Sequence, residues 1–135
     1  MIDTFLVPEK TVVTEKGDGA AADISAAGNR VFLLSLKITN IVEQESLDLS
    51  VFGSADGTNW GQKALATFPQ KFYRGETPML LDLTQQADVK FLRAHWEVNR
   101  WGRGPEKAMF EFQVQVKEVP AEMLKEATAE ARGRA

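Results

Sequence analysis

Apolar and polar side chains alternate along several stretches of this chain, most cleanly from Phe110 to Lys117. There Phe110, Phe112, Val114 and Val116 fall on one side and Glu111, Gln113, Gln115 and Lys117 on the other. Successive side chains of a strand point to opposite faces, so a period of two predicts a strand with one buried face. The same pattern places Phe32, Leu34, Leu36 and Ile38 inward, opposite Val31, Leu33, Ser35, Lys37 and Thr39. Leu47, Leu49 and Val51 form a further inward set, as do Met79, Leu81 and Leu83. A long strand over Val89–Trp101 turns Leu92, Ala94, Trp96 and Val98 inward and Arg93, His95, Glu97 and Asn99 outward. A shorter strand is expected over Ala64–Phe68. Turn residues separate these runs, Asp56-Gly57 most clearly, because Gly accepts positive φ and Asp hydrogen-bonds its own backbone. Many short strands at regular spacing predict an all-β fold, an antiparallel two-sheet β-sandwich, jelly-roll-like, with its core over residues 30–118.

The two ends read differently. Residues 1–29 are expected to form an N-terminal arm and loop. Short strands at Thr4–Val7 and Thr11–Thr14 flank Pro8, which cannot donate to a ladder. The Gly- and Ala-rich stretch after Glu15 has room for at most one short strand near Ala20–Ile24. Residues 119–135 predict a short C-terminal helical tail, with Pro120 in the first turn, good helix formers from Ala121 to Arg132, and Gly133 as the stop. Ile2, Phe5, Leu6 and Val7 at one end, and Met123 and Leu124 at the other, are apolar groups that need a docking surface. They are the candidate arms for packing on a neighbouring subunit, the alternative being that both fold back onto their own sandwich.

A length of 135 residues predicts a single domain. There are no cysteines, hence no disulfides and no thiolate metal sites. Residues 1–8 carry no basic stretch and no long apolar run, so no signal peptide is expected, nor any membrane helix elsewhere. The net charge of −3 argues against a nucleic-acid partner. It is unevenly spread: residues 90–107 carry +3 and the remainder −6. Such asymmetry can steer self-association.

Catalytic chemistry is hard to assemble from these residues. His95 is the sole histidine, and no Gly-x-Ser-x-Gly elbow occurs. No metal site and no cofactor are expected: the segments bearing Asp18 and Asp56 lack the ligand density of a calcium loop and read as plain turns. The protein is therefore not expected to be an enzyme. The candidates for an interface or ligand site are Trp101, Arg100, Arg103, Arg93, His95, Asp56, Asn59 and Trp60, since Trp and Arg anchor interfaces and an exposed indole can stack on a sugar ring.

The run Val51-Phe52-Gly53-Ser54-Ala55-Asp56-Gly57-Thr58-Asn59-Trp60 resembles the strand and turn of discoidin-like, galactose-binding-type β-sandwiches. Val89-Lys90-Phe91-Leu92-Arg93-Ala94-His95-Trp96 looks like their Arg-bearing strand. Similar Asp-Gly-Thr-Asn-Trp turns occur in bacteriophage virion and tail proteins. The chain lacks the disulfide that discoidin-like domains often carry, and no ligand loop of theirs matches it residue by residue. Two functions are implied. The first is a structural protein that forms homo-oligomers or decorates a shell, in a virion or a cytoplasmic assembly. The alternative is a carbohydrate-binding module.

Overall fold

A computed structural model describes residues 2–42, 45–100 and 109–120. The strands are β1 (Asp3–Val13), β2 (Gly17–Asp18), β3 (Ala22–Asp23), β4 (Val31–Ile41), β5 (Glu45–Ser54), β6 (Ala66–Thr67), β7 (Gly75–Asp82), β8 (Phe91–Arg100) and β9 (Phe110–Glu118). They form two antiparallel sheets packed face to face, a β-sandwich. Sheet A has the order β1-β9-β4-β7, and sheet B the order β2-β8-β5-β6 with β3 also on β8. The predicted helical tail, with Met123 and Leu124, lies outside the described residues.

The alternating pattern does what elementary geometry demands. Phe32, Leu34, Leu36, Leu47, Leu49, Val51, Leu92, Ala94, Phe110, Phe112, Val114 and Val116 are all buried between the sheets. In sheet A, Leu34 pairs with Met79 on one side and Val116 on the other, so three inward sets share one register. In sheet B, Leu49 pairs with Trp96 and Val51 with Ala94. The Trp96 ring meets Phe112 edge-on across the core, with centroids 5.7 Å apart. Edge-to-face contact places the positive ring edge on the negative ring face.

Residues 1–29 depart from the expected arm and loop. β1 is one long edge strand paired with β9 from Asp3↔Lys117 to Val13↔Phe110. Leu6 and Val7 are buried in their own sandwich, and Ile2 packs against the same core. The ladder shifts register between Phe5 and Val7 and again before Thr11. Such an irregularity lets the neighbours Leu6 and Val7 both turn inward, which a regular pleat forbids. Lys10 takes φ of 62° within this irregular stretch. The segment after Glu15 also gives two short strands, β2 and β3, rather than one.

Two buried carboxylates lock the ends of β9, a central strand of sheet A. Glu118 is 4% exposed. Its Oε1 accepts from the Ile2 amide at 3.0 Å and its Oε2 from the Asn29 amide at 2.9 Å. Glu45, 1% exposed, accepts from the amides of Val42 and Met109, each at 2.8 Å. Each carboxylate thus joins segments distant in sequence. Replacing Glu118 by Ala strands two amide donors, and a buried unsatisfied donor costs about 1–3 kcal/mol. Urea unfolding of Glu118→Ala should show a loss of that order, with Glu111→Ala on the outer face as control. Equal losses from the two would contradict the clamp.

Candidate functional site

The outer face of sheet B gathers several of the candidate residues. Alternation on β8 turns Arg93 and His95 outward, and the pairing of β2 on β8 sets Asp18 opposite His95. His95 Nδ1 lies 2.8 Å from Asp18 Oδ1, and Arg93 Nε lies 3.8 Å from the same oxygen. Phe52, opposite Arg93 on β5, meets the His95 ring edge-on at 6.0 Å. Trp60 closes the group, with the Arg93 guanidinium 4.6 Å from the centre of its ring. At that distance the ring quadrupole attracts the cation, an effect of about 0.5–1 kcal/mol at an exposed site. Arg93, His95 and Trp60 are thus one cluster of planar groups, to which Asp18 and Phe52 belong as well.

Asp56 and Asn59 have a different task. Asp56 Oδ1 accepts from the amides of Thr58 (2.8 Å) and Asn59 (2.9 Å) and from the Ser54 hydroxyl (2.9 Å). Its Oδ2 accepts from the Asn59 side-chain amide at 2.7 Å. Ser54 Oγ in turn accepts from the Gly57 amide at 2.9 Å. Gly57 sits at φ +80°, where L side chains are strained. These polar atoms are spent on the turn that presents Trp60. Arg100 stands at the far end of β8, paired with Glu45. Trp101 and Arg103 lie outside the described residues.

No model of a protein family matches this chain, and no curated protein matches it.

A second surface carries no periodic signature and was missed by pattern reasoning. Gln70 to Arg74 lie in the link from β6 to β7 and, with Gly75, Glu76 and Thr77 of β7 and Ile38 of β4, line a groove of about 330 Å³. Tyr73 is 77% exposed, and Phe72 beside it is 39% exposed. The loop is pinned. Lys71 donates its amide to Leu47 O at 3.0 Å and accepts the Leu47 amide at 2.8 Å. Gln70 Nε2 donates to Ser46 Oγ and Asp48 Oδ2, both at 3.2 Å. A run of Lys, Phe, Tyr and Arg between two short strands is the one sequence cue that was there to be read.

Among the described residues no group of three or more His, Asp or Glu side chains could hold a metal ion. No helix among them is long and apolar enough to cross a membrane.

The carboxylates give the fold a pH dependence whose sign can be worked out. The Asn59 and Thr58 amides hold Asp56 well below the usual carboxylate range. The Thr84 hydroxyl and amide lower Asp82, Ser25 lowers Asp23, and the Asn29 and Ile2 amides lower Glu118. A depressed folded pKa means that folding favours the ionised form. The stability these groups contribute is complete above about pH 4–5 and is lost as pH falls through their folded values. Glu45 acts in the opposite sense. Burial raises its pKa despite the amides of Met109 and Val42 and the charge of Arg100, so its contribution is complete at low pH and lost as pH rises. Below about pH 4 Glu45 is protonated in folded and unfolded chains alike, so only the lowered carboxylates still titrate and thermal midpoints should fall on further acidification. Asp56→Asn should flatten that fall. An unchanged pH slope in the variant would show that the carboxylate does not hold the turn.

Proposed function

We propose that this chain is a non-enzymatic assembly protein, a jelly-roll β-sandwich that self-associates or decorates a larger shell such as a virion or virus-like particle. The winding supports the jelly roll. Taking β2 and β3 as halves of one broken strand, the chain folds back on itself like a long hairpin. β1 pairs with β9, β2 and β3 with β8, β4 with β7, and β5 with β6. Rolling that hairpin brings β9 beside β4 and β8 beside β5, the two remaining pairings. Capsid and lectin domains both use this architecture, so the winding alone does not choose between them.

The observation that carries the assembly reading is the pinned loop with exposed Phe72 and Tyr73 between Lys71 and Arg74. Tyr and Arg are enriched among interface hot spots, and a loop held by the neighbouring strand loses little freedom on docking. The sheet edges support contact through such a patch rather than strand addition. β2, β3 and β6 are two residues long, β7 carries Pro78, and the ladder of β1 shifts register between Phe5 and Thr11, around Pro8 and the positive φ of Lys10. Short, interrupted edges oppose open-ended pairing. Native mass spectrometry of the purified chain should show a discrete oligomer. A protein that stays monomeric at high micromolar concentration would overturn the reading.

A second reading, a carbohydrate-binding module of galactose-binding type, is favoured by the cluster of Trp60, Arg93, Asp18 and His95. It predicts retardation on immobilised galactose that Trp60→Ala abolishes. Passage of the wild-type protein without retardation would reject it.

A further inference from the structure

We propose that the surface formed by residues 70–77 is an isologous contact, in which a second copy of this chain docks the same surface across a two-fold axis. This rests on the assembly reading and names its partner. The patch holds what such an axis needs. A two-fold contact must be self-complementary, because each residue meets its opposite number's surroundings. Lys71 and Arg74 supply positive charge, and Glu76 supplies negative charge within the same groove lining. Tyr73, 77% exposed, is a projecting ring, and the adjacent groove of about 330 Å³ is a recess. Turned through a two-fold axis, Tyr73 of each copy enters the other's groove, and Arg74 of each copy faces the other's Glu76. Phe72, whose ring stands 6.4 Å from that of Tyr73 at 55°, extends the aromatic centre.

Both charge signs and both a knob and a recess within one patch are what a second copy of the same surface complements. A head-to-tail contact, by contrast, uses two different surfaces and can propagate. The loop starts from a fixed position because its backbone is bonded to Leu47. Little ordering remains to be done at docking.

Sedimentation velocity on the full chain tests this with four variants: Tyr73→Ala, Arg74→Glu, Glu76→Arg and the double exchange R74E/E76R. Lys37 lies opposite Glu76 across β4 and β7, so thermal melts accompany each variant to verify folding. The wild type should dimerise, alone or within a larger assembly of dimers. Tyr73→Ala, at an exposed position, should keep the thermal midpoint and weaken this dimer step by at least about tenfold. Each single charge change should weaken it similarly, and the double exchange should restore it, since opposite charges would again face each other across the axis. A wild-type oligomer unaffected by Tyr73→Ala and Arg74→Glu would overturn the two-fold contact while leaving assembly intact. A double exchange weaker than either single change would overturn it too. A monomeric wild type would overturn both the contact and the assembly reading.

Discussion

Phe112→Ala should lower the free energy of unfolding by about 3–5 kcal/mol, whereas Gln113→Ala, its chain neighbour, should change it by less than about 0.5 kcal/mol. Phe112 is fully buried on β9. It is flanked by Thr11 on β1 and Ile38 on β4, and it meets the Trp96 ring from the opposite sheet. Removing its ring loses the transfer free energy of the side chain. It also leaves a cavity that two hydrogen-bonded neighbours prevent from closing. Gln113 faces outward beside Lys37 and is only half-buried. For a domain whose total stability is of order 5–15 kcal/mol, the Phe112 loss is severe. Denaturant unfolding of the two variants measures the contrast. Comparable losses from both would reverse the facing of β9.

The strands β4, β5, β7, β8 and β9 are legible because the alternation along most of their length is a local pattern. The inward register even exposes the two clamps. Glu118 lies two residues beyond Val116, and Glu45 two residues before Leu47, so each is a carboxylate at an apolar position. That misfit was the available sign of a buried acid bonded to backbone amides. β1 is harder to read, because Pro8 and the positive φ at Lys10 split the alternation into two fragments. Only the partner β9 shows that they are one strand. β2 and β3 depend on what lies beneath them. A Cβ at Gly17 would come within 3.1 Å of the Trp96 ring, and one at Gly19 within 2.8 Å of Leu6 O. The small residues there record a close approach rather than a loose loop.

The candidate site divides in the same way. The Asp56 turn is local in cause, since every donor to its carboxylate lies within three residues. The grouping of Asp18 with Arg93, His95 and Trp60 depends on strand pairing across 77 positions of sequence. No spacing rule could supply it. Phe72 and Tyr73 carry no period at all, and beyond the run Lys71-Phe72-Tyr73-Arg74 only their exposure in the folded chain marks them.

Trp96→Ala tests the link between the core and this outer cluster, and its cost should again be about 3–5 kcal/mol. Trp96 is 9% exposed. Its indole Nε1 donates to Glu15 O at 3.1 Å, just before β2, and its ring packs under Gly17. β2 pairs with β8 over two residues, extended by one bond from the Gly19 amide to Ala94 O at 2.8 Å, so the indole adds a support to a short edge. Without it, β2 should loosen and carry Asp18 away from His95 and Arg93. His95 is the sole histidine, so its ring resonances report on the cluster without interference. Their chemical shifts should move in Trp96→Ala at temperatures where the fold persists. Trp96→Phe, which fills part of the space but loses the bond to Glu15, should move them less. Because Trp96 and Phe112 are in contact, the double variant should show a coupling of about 0.5–3 kcal/mol rather than simple addition. Unchanged His95 resonances in Trp96→Ala would mean that β2 holds Asp18 in place without the indole, and that the outer face of sheet B is organised independently of the core beneath it.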